Sequence, residues 1–115
     1  MTQPQRISLY LGHVVEAIDQ IMTYVQGMDE AAFLGNRLVQ DAVVRNLEII
    51  GEACNNVRKV APEFAASHPE VPWGNAIGNR NALSHGYFRV DFELVWKTIG
   101  HDLPTLKQAV SALLA

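Results

Sequence analysis

The stretch "RLVQDAVVRNLEIIGEACNNVRKV", residues 37–60, decides the fold. Its apolar side chains recur at helical spacing and fill about half of a helical wheel, which predicts a long helix packed on two sides. The helix should end before Pro62, because the residue that precedes a proline disfavours helical geometry. Asn46 falls inside the apolar arc, and we expect a buried amide that bonds across the core. The opposite face predicts an exposed row of ion pairs among Asp41, Arg45, Glu48 and Glu52.

The segments before this helix are also helical in pattern. Residues 7–26 carry apolar side chains three and four positions apart, which predicts an amphipathic helix. A turn follows, in which Asp29 is placed to start a brief helical piece and Gly35 to end it.

The segments after it predict two more helices. Pro72 suits the first position of a third long helix, because its fixed φ matches helical geometry. Asp91 is expected to cap a last helix with apolar positions up to Leu113, which Gly100 and Pro104 should kink or split. No stretch shows strand alternation. The chain is therefore predicted to be a single all-α domain, residues 1–115, folded as an antiparallel helical bundle.

Composition narrows the possible functions. A formal net charge of −3 gives no general attraction to nucleic acid, so any RNA contact requires a local cationic patch. Cys54 is the single cysteine, which excludes an internal disulfide and favours a reducing cytoplasm. No signal peptide or membrane span is visible. No phosphate loop or cofactor motif is visible either, and no metal site is expected, because no ligand spacing relates His13, His68 and His101 to one another or to Cys54.

Arg80 is an anomaly in the third helix. It lies in the centre of an otherwise uncharged stripe made of Trp73, Ala76, Ile77, Leu83 and Ser84. A guanidinium stays charged in proteins and is costly to bury without a partner. One interpretation pairs Arg80 with Glu48 or Glu52 of the neighbouring helix. The other makes the stripe the wall of a cleft or a subunit interface, with Arg80 facing an anion.

His85 follows Arg80 by five positions, at the predicted helix end. Gly86 suits the left-handed residue that terminates a helix, so His85 would lie at the C-terminus, where the helix dipole favours the imidazolium. A histidine that titrates near neutral pH beside a permanent cation suits chemistry on a phosphodiester. Taken alone, such a histidine is more often a capping or packing residue.

Three segments resemble the HepT-like toxins of the HEPN superfamily: "VVRNLEIIGEA" (43–53), "VPWGNAIGNRNALSHGYF" (71–88) and "VDFELVWKTIGHDLPTLKQ" (90–108). The resemblance implies a helical bundle that forms a homodimer, and a metal-independent endoribonuclease of the Arg-x4-His-x-Tyr type. It places the catalytic pair on Arg80 and His85, a supporting polar residue on Asn81, and the tyrosine on Tyr87. Two positions depart from the family pattern: Asn79 replaces an expected apolar residue, and Gly86 separates the histidine from the tyrosine.

The resemblance also implies a partner, a minimal nucleotidyltransferase antitoxin that transfers AMP onto Tyr87. In the expected dimer, two copies of Arg80 and His85 surround one groove. His85 then acts as general base on a ribose 2′-hydroxyl, and Arg80 neutralises the charge that builds on the phosphate. The alternative is a non-catalytic helical dimer that uses the same motif to bind a nucleotide or a partner protein.

Overall fold

The structure, a computed structural model, describes the backbone of residues 1–84 and 90–115 and the side chains of residues 1–78 and 90–115. These residues form helices and connecting turns and include no strand, which confirms the predicted all-α fold. In chain order the helices are α1 (Gln3–Tyr24), α2 (Glu30–Leu34), α3 (Arg37–Val60), α4 (Pro62–Ser67), α5 (Trp73–Ser84), α6 (Phe92–Lys97), a π-helical turn (Thr98–Asp102) and α7 (Leu103–Leu114).

The central helix is α3, which packs against α1 on one side and α5 on the other. This arrangement confirms the wide apolar arc that the sequence predicts. The side-chain amide of Gln3 donates a hydrogen bond of 2.6 Å to the carbonyl oxygen of Val60, so α1 begins where α3 ends and the two helices are antiparallel. α7 also packs against α1, and Lys107 of α7 and Asp19 of α1 form an ion pair of 2.7 Å.

α1 begins at Gln3, four residues earlier than the apolar periodicity predicts. The reason is a reciprocal cap. The amide of Gln5 donates to the Thr2 hydroxyl at 3.3 Å, and the amide of Thr2 donates to the Gln5 side chain at 2.8 Å. Two amides that lack helical partners are thereby satisfied, which lets the helix start before its first buried residue.

α3 ends at Val60, as predicted, but Pro62 does more than stop it. Pro62 opens the short helix α4, which the sequence interpretation did not include. A proline fits the first turn of a helix because the amide hydrogen that it lacks would have no helical partner there. The chain therefore breaks once, at Ala61, and turns directly into a second helix.

The predicted interruption of the last helix is confirmed. Asp91 caps α6, since its carboxylate accepts a hydrogen bond of 3.1 Å from the amide of Leu94. The π-helical turn then contains Gly100, and α7 starts with Pro104 in its first turn. α6 packs against α2 and α7 packs against α1, so the two halves face different neighbours.

The polar predictions for α3 hold in part. Asn46 is buried, with 9% exposure, but its amide donates to the carbonyl oxygen of Ala42 at 2.9 Å in the same helix, not across the core. Arg45 and Glu48 lie 3.7 Å apart on the exposed face as expected, whereas Asp41 pairs with Arg37 at 3.0 Å. None of the helices within residues 1–84 and 90–115 has the combination of length and apolar character that a membrane span requires.

Candidate active site

Trp73 anchors the start of α5, the helix that carries the predicted arginine. Its side chain is 7% exposed, and its indole N–H is shared between the carbonyl oxygens of Ala65 and His68, both at 3.1 Å. These two carbonyls lie at the end of α4, so the tryptophan ties α5 to the preceding helix. The position of α5 is therefore fixed at its N-terminal end.

The structure contradicts part of one of the two interpretations of the stripe around Arg80. Trp73, Ala76 and Ile77 are buried in the core of the single chain, where α5 packs against α3. The expectation that this stripe faces a second subunit is therefore wrong for its first half, because those side chains already have partners. By helical register, position 80 continues the same stripe one turn later.

The predicted catalytic motif begins in the last turns of α5. Arg80 and Asn81 belong to the last turns of this helix, which runs to Ser84. Their side chains lie outside the described residues, as do the whole of His85, Gly86 and Tyr87. The pairing of Arg80 with Glu48 or Glu52 and the meeting of Arg80 with His85 accordingly remain predictions.

Two titratable groups near α5 have shifted pKa values. His68 and Glu70, in the turn before α5, share a hydrogen bond of 2.9 Å that holds the pKa of the Glu70 carboxyl below its usual range. On α3, burial raises the pKa of the Cys54 thiol to about 12. A thiol in that environment stays protonated and inert at neutral pH, so Cys54 serves packing and not chemistry.

A partly enclosed cavity of about 220 Å³ opens between α3, α5 and the segment from the π-helical turn into α7. Its walls are mainly apolar, formed by Leu47, Ile50, Ala76, Leu103 and Leu106. Ala76 lies one helical turn before Arg80, so the cavity borders the helix that carries the predicted motif.

The rim of this cavity is polar. It is formed by four exposed residues, Asn75 of α5 and His101, Asp102 and Thr105, while Thr98, which also lines the cavity, is buried. His101 Nδ1 lies 2.8 Å from Asp102 Oδ1, and because an ionised carboxylate only accepts hydrogen bonds, the imidazole is the donor. The sequence interpretation gave these residues no role. Thr98, His101, Asp102 and Thr105 are separated by three, one and three positions. This helical spacing of polar residues is the sequence signal that points to one polar row.

No metal centre is apparent in the part of the chain that the structure describes, since no three His, Cys, Asp or Glu side chains are grouped there. His13, His68 and His101 lie on three different elements, α1, the turn before α5 and the π-helical turn.

Known proteins resemble this chain over most of its length. A protein of Thermococcus cleftensis named "Probable ribonuclease HepT" is 41% identical over 98 residues, which cover 85% of this chain and 86% of that protein. "Putative RNase MJ1380" of Methanocaldococcus jannaschii is 35% identical over 104 residues, or 90% of this chain and 93% of the relative. "Putative RNase TTE0752" of Caldanaerobacter subterraneus is 36% identical over 105 residues, or 91% of each chain.

No solved structure gives a significant match. The family model described as "Ribonuclease HepT-like" matches residues 14–113, from the middle of α1 to the end of α7, and therefore includes α5 and the whole predicted motif. A match of this extent, together with relatives that align over nearly their full lengths, shows that the chain belongs to the HepT-like ribonuclease family.

Proposed function

We propose that this protein is a metal-independent endoribonuclease and the toxin of a toxin–antitoxin pair. The observation that carries the proposal is family membership across residues 14–113, combined with a sequence motif Arg-x4-His-x-Tyr that begins on α5. The relatives that align most fully carry ribonuclease names, and α5 is anchored to the core on both α3 and α4. A fixed helix is a suitable support for groups that must meet a phosphate.

The chemistry uses the 2′-hydroxyl of the RNA itself as nucleophile. His85 takes the proton of that hydroxyl, and the oxygen attacks the adjacent phosphorus. The bond from phosphorus to the 5′-oxygen of the next nucleotide breaks, and that oxygen takes a proton from a second histidine or from water. Arg80 neutralises the charge that grows on the phosphate oxygens, and Asn81 supports the site with a polar side chain. The products are a 2′,3′-cyclic phosphate and a free 5′-hydroxyl.

The working form is proposed to be a homodimer in which two motifs share one groove. Two large apolar side chains are well exposed in the single chain and are available for a subunit contact: Leu38 at the start of α3 is 81% exposed and Leu94 on α6 is 59% exposed. Pairing two copies would also double the cationic charge around the motif in a protein whose net charge is −3.

Control of the toxin is proposed to act on Tyr87. A minimal nucleotidyltransferase partner would transfer AMP from a nucleoside triphosphate to the phenol oxygen, with pyrophosphate as the leaving group. The attached phosphate would meet Arg80, and the nucleotide would occupy the groove that RNA needs.

The deciding experiment is cleavage of a short unstructured RNA by the purified protein, with and without excess chelator. We expect cleavage in both conditions, with 2′,3′-cyclic phosphate ends and a rate that varies over the pH range in which histidine titrates. Arg80→Ala and His85→Ala should each abolish cleavage. Arg58→Ala, which removes an exposed arginine near the C-terminal end of α3, should not.

Two results would contradict the proposal. Strict dependence on magnesium would exclude the stated mechanism. Intact RNA, bound by the wild type and released by Arg80→Ala, would instead favour the alternative of a helical dimer that binds nucleotides or a partner through the same motif. Circular dichroism of both alanine variants checks that a loss of activity is not a loss of fold.

A further inference from the structure

We propose that the cavity between α3, α5 and α7 is a base-binding pocket that takes a guanine of the RNA substrate. This inference rests on the proposed function, because it identifies the part of the substrate that the pocket would select. Its residues lie outside the predicted motif: Asn75 and Ala76 come from α5, and His101, Asp102 and Thr105 come from the π-helical turn and α7.

The charge of the lining favours a neutral occupant. Among the described residues that line the cavity none is Lys or Arg, and Asp102 places a carboxylate at its rim. A phosphate in this position would be repelled, so the cavity is not a second phosphate site. A flat nucleobase can instead lie against the apolar walls of Leu47 and Leu106 and present its polar edge to the rim. Mainly apolar pockets with a few polar groups are typical of small-molecule and base recognition.

The rim has the hydrogen-bonding groups that guanine requires. His101 donates to Asp102 Oδ1 at 2.8 Å, which orients the carboxylate, while the Asp102 side chain remains 56% exposed and open to a ligand. Guanine presents two adjacent donors, its ring N1–H and its 2-amino group, which match the two oxygens of a carboxylate. Uracil presents one N–H between two carbonyl oxygens that a carboxylate would repel. Asp102 is therefore expected to select guanine over uracil.

The cavity lies close enough to the motif for a single nucleotide to reach both. Ala76 precedes Arg80 by four residues on one continuous helix, a separation of about 6 Å along the axis at 1.5 Å per residue. A base held beside Ala76 can thus belong to a nucleotide whose phosphate lies at the C-terminal end of α5. RNA is generally read in this way, through unstacked bases that are bound while the backbone follows a charged surface.

The π-helical turn supports the same assignment. Such turns are rare and occur often at functional sites, and this one contributes Thr98, His101 and Asp102 to the cavity. Two threonine hydroxyls of this segment donate to backbone carbonyl oxygens. Thr98 donates to the carbonyl of Leu94 at 3.0 Å, and Thr105 donates to the carbonyl of His101 at 3.3 Å. The wall that would face the base is therefore ordered by its own hydrogen bonds before any ligand arrives.

Nucleoside titration followed by NMR tests the pocket without requiring catalysis. Guanosine, which lacks a phosphate, should shift the amide signals of Ala76 and Thr105 saturably, and uridine should bind at least tenfold more weakly. Thr105→Phe should fill the cavity and abolish the shifts. Gln108→Phe, an exposed position one turn along α7 that does not line the cavity, should leave them unchanged. Equal binding of the two nucleosides, or guanosine binding that survives Thr105→Phe, would overturn the proposal.

Cleavage of matched RNAs provides the second test. Replacing one guanosine by inosine, which lacks the 2-amino group, should lower kcat/KM about tenfold for the wild type, the effect expected for one lost hydrogen bond to a charged group. Asp102→Asn should cut the guanosine RNA more slowly and no longer distinguish it from the inosine RNA. If the wild type cuts both RNAs equally, the pocket assignment fails while the ribonuclease assignment stands. If the wild type cuts no RNA, the ribonuclease assignment fails and the titration still decides the pocket.

Discussion

Trp73→Phe tests whether the indole N–H fixes α5, the helix on which the proposed site depends. Phenylalanine keeps an aromatic ring at this buried position but removes the donor shared by the carbonyl oxygens of Ala65 and His68. Arg80 lies seven residues further along the same helix, so the substitution does not touch the proposed catalytic groups. The variant should therefore lose stability while its folded fraction still cleaves RNA.

The expected loss has two parts of similar size. Removing the shared hydrogen bond should cost about 1 kcal/mol. The loss is not larger, because each carbonyl keeps a backbone donor: the amide of His68 donates to Ala65 and the amide of Val71 donates to His68. The smaller ring leaves a space of roughly 40 Å³, which at about 24 cal/mol per Å³ adds about 1 kcal/mol. The free energy of unfolding should thus fall by about 2 kcal/mol, and the Tm of a chain of this size by about 8 °C.

Urea denaturation followed by circular dichroism measures this loss, with protein concentration held constant because a dimer would be stabilised by mass action. Trp96→Phe is the matched control. Trp96 is half-buried, and its ring centroid lies 5.2 Å from that of Phe33, but its indole makes no hydrogen bond to a residue within 1–78 or 90–115. It should lose about half as much stability. A loss in Trp73→Phe no larger than the loss in Trp96→Phe would refute the anchoring role of the indole N–H.

Three further outcomes are expected. Mixing Arg80→Ala and His85→Ala subunits should restore part of the cleavage that each lacks, and no recovery after subunit exchange would contradict a shared groove. Co-expression with the neighbouring nucleotidyltransferase should add AMP to the wild type but not to Tyr87→Phe; mass spectrometry that finds an unmodified Tyr87 in a fully inhibited complex would mean inhibition by binding alone. Because burial raises the pKa of the Cys54 thiol to about 12, almost no thiolate exists at neutral pH, so a thiol reagent should react only as fast as the chain unfolds. Immediate reaction in native buffer would contradict the packing of α3.

The sequence predicts the long helices well because their apolar periodicity reflects burial directly. α3 begins and ends at the predicted residues, and Asp29, Asp91 and the break near Gly100 all lie where expected. Periodicity fails where a helix extends beyond its buried part. The first turn of α1 is exposed and depends on the cap formed by Thr2, which no apolar pattern reveals.

The sequence does not specify which residues a side chain contacts in the folded chain. The wheel places Asn46 in the core correctly, but only the structure shows that its amide bonds to Ala42 of its own helix. The wheel likewise groups Trp73 with Arg80, although it cannot tell packing against α3 from packing against a second subunit. The sequence does not reveal the cavity for the same reason, because residues from three separate helices line it. For the motif itself, Arg80 is placed on α5, and its contacts remain a prediction.

The π-helical turn also determines how the protein can tolerate changes in length. It joins α6, whose aromatic side chains face α2, to α7, whose apolar side chains face α1. The turn holds one residue more than an ordinary α-helical turn, so deleting one residue within Thr98–Asp102 would restore an α-helix and leave α7 close to its present orientation. Inserting a residue that the turn cannot absorb would instead rotate α7 by about 100° relative to α6, and one of the two apolar faces would lose its partner. A side chain added at Gly100 meets no atom of the described residues within 4 Å. Substitutions at Gly100 should therefore be accepted in this segment, while single-residue insertions should not.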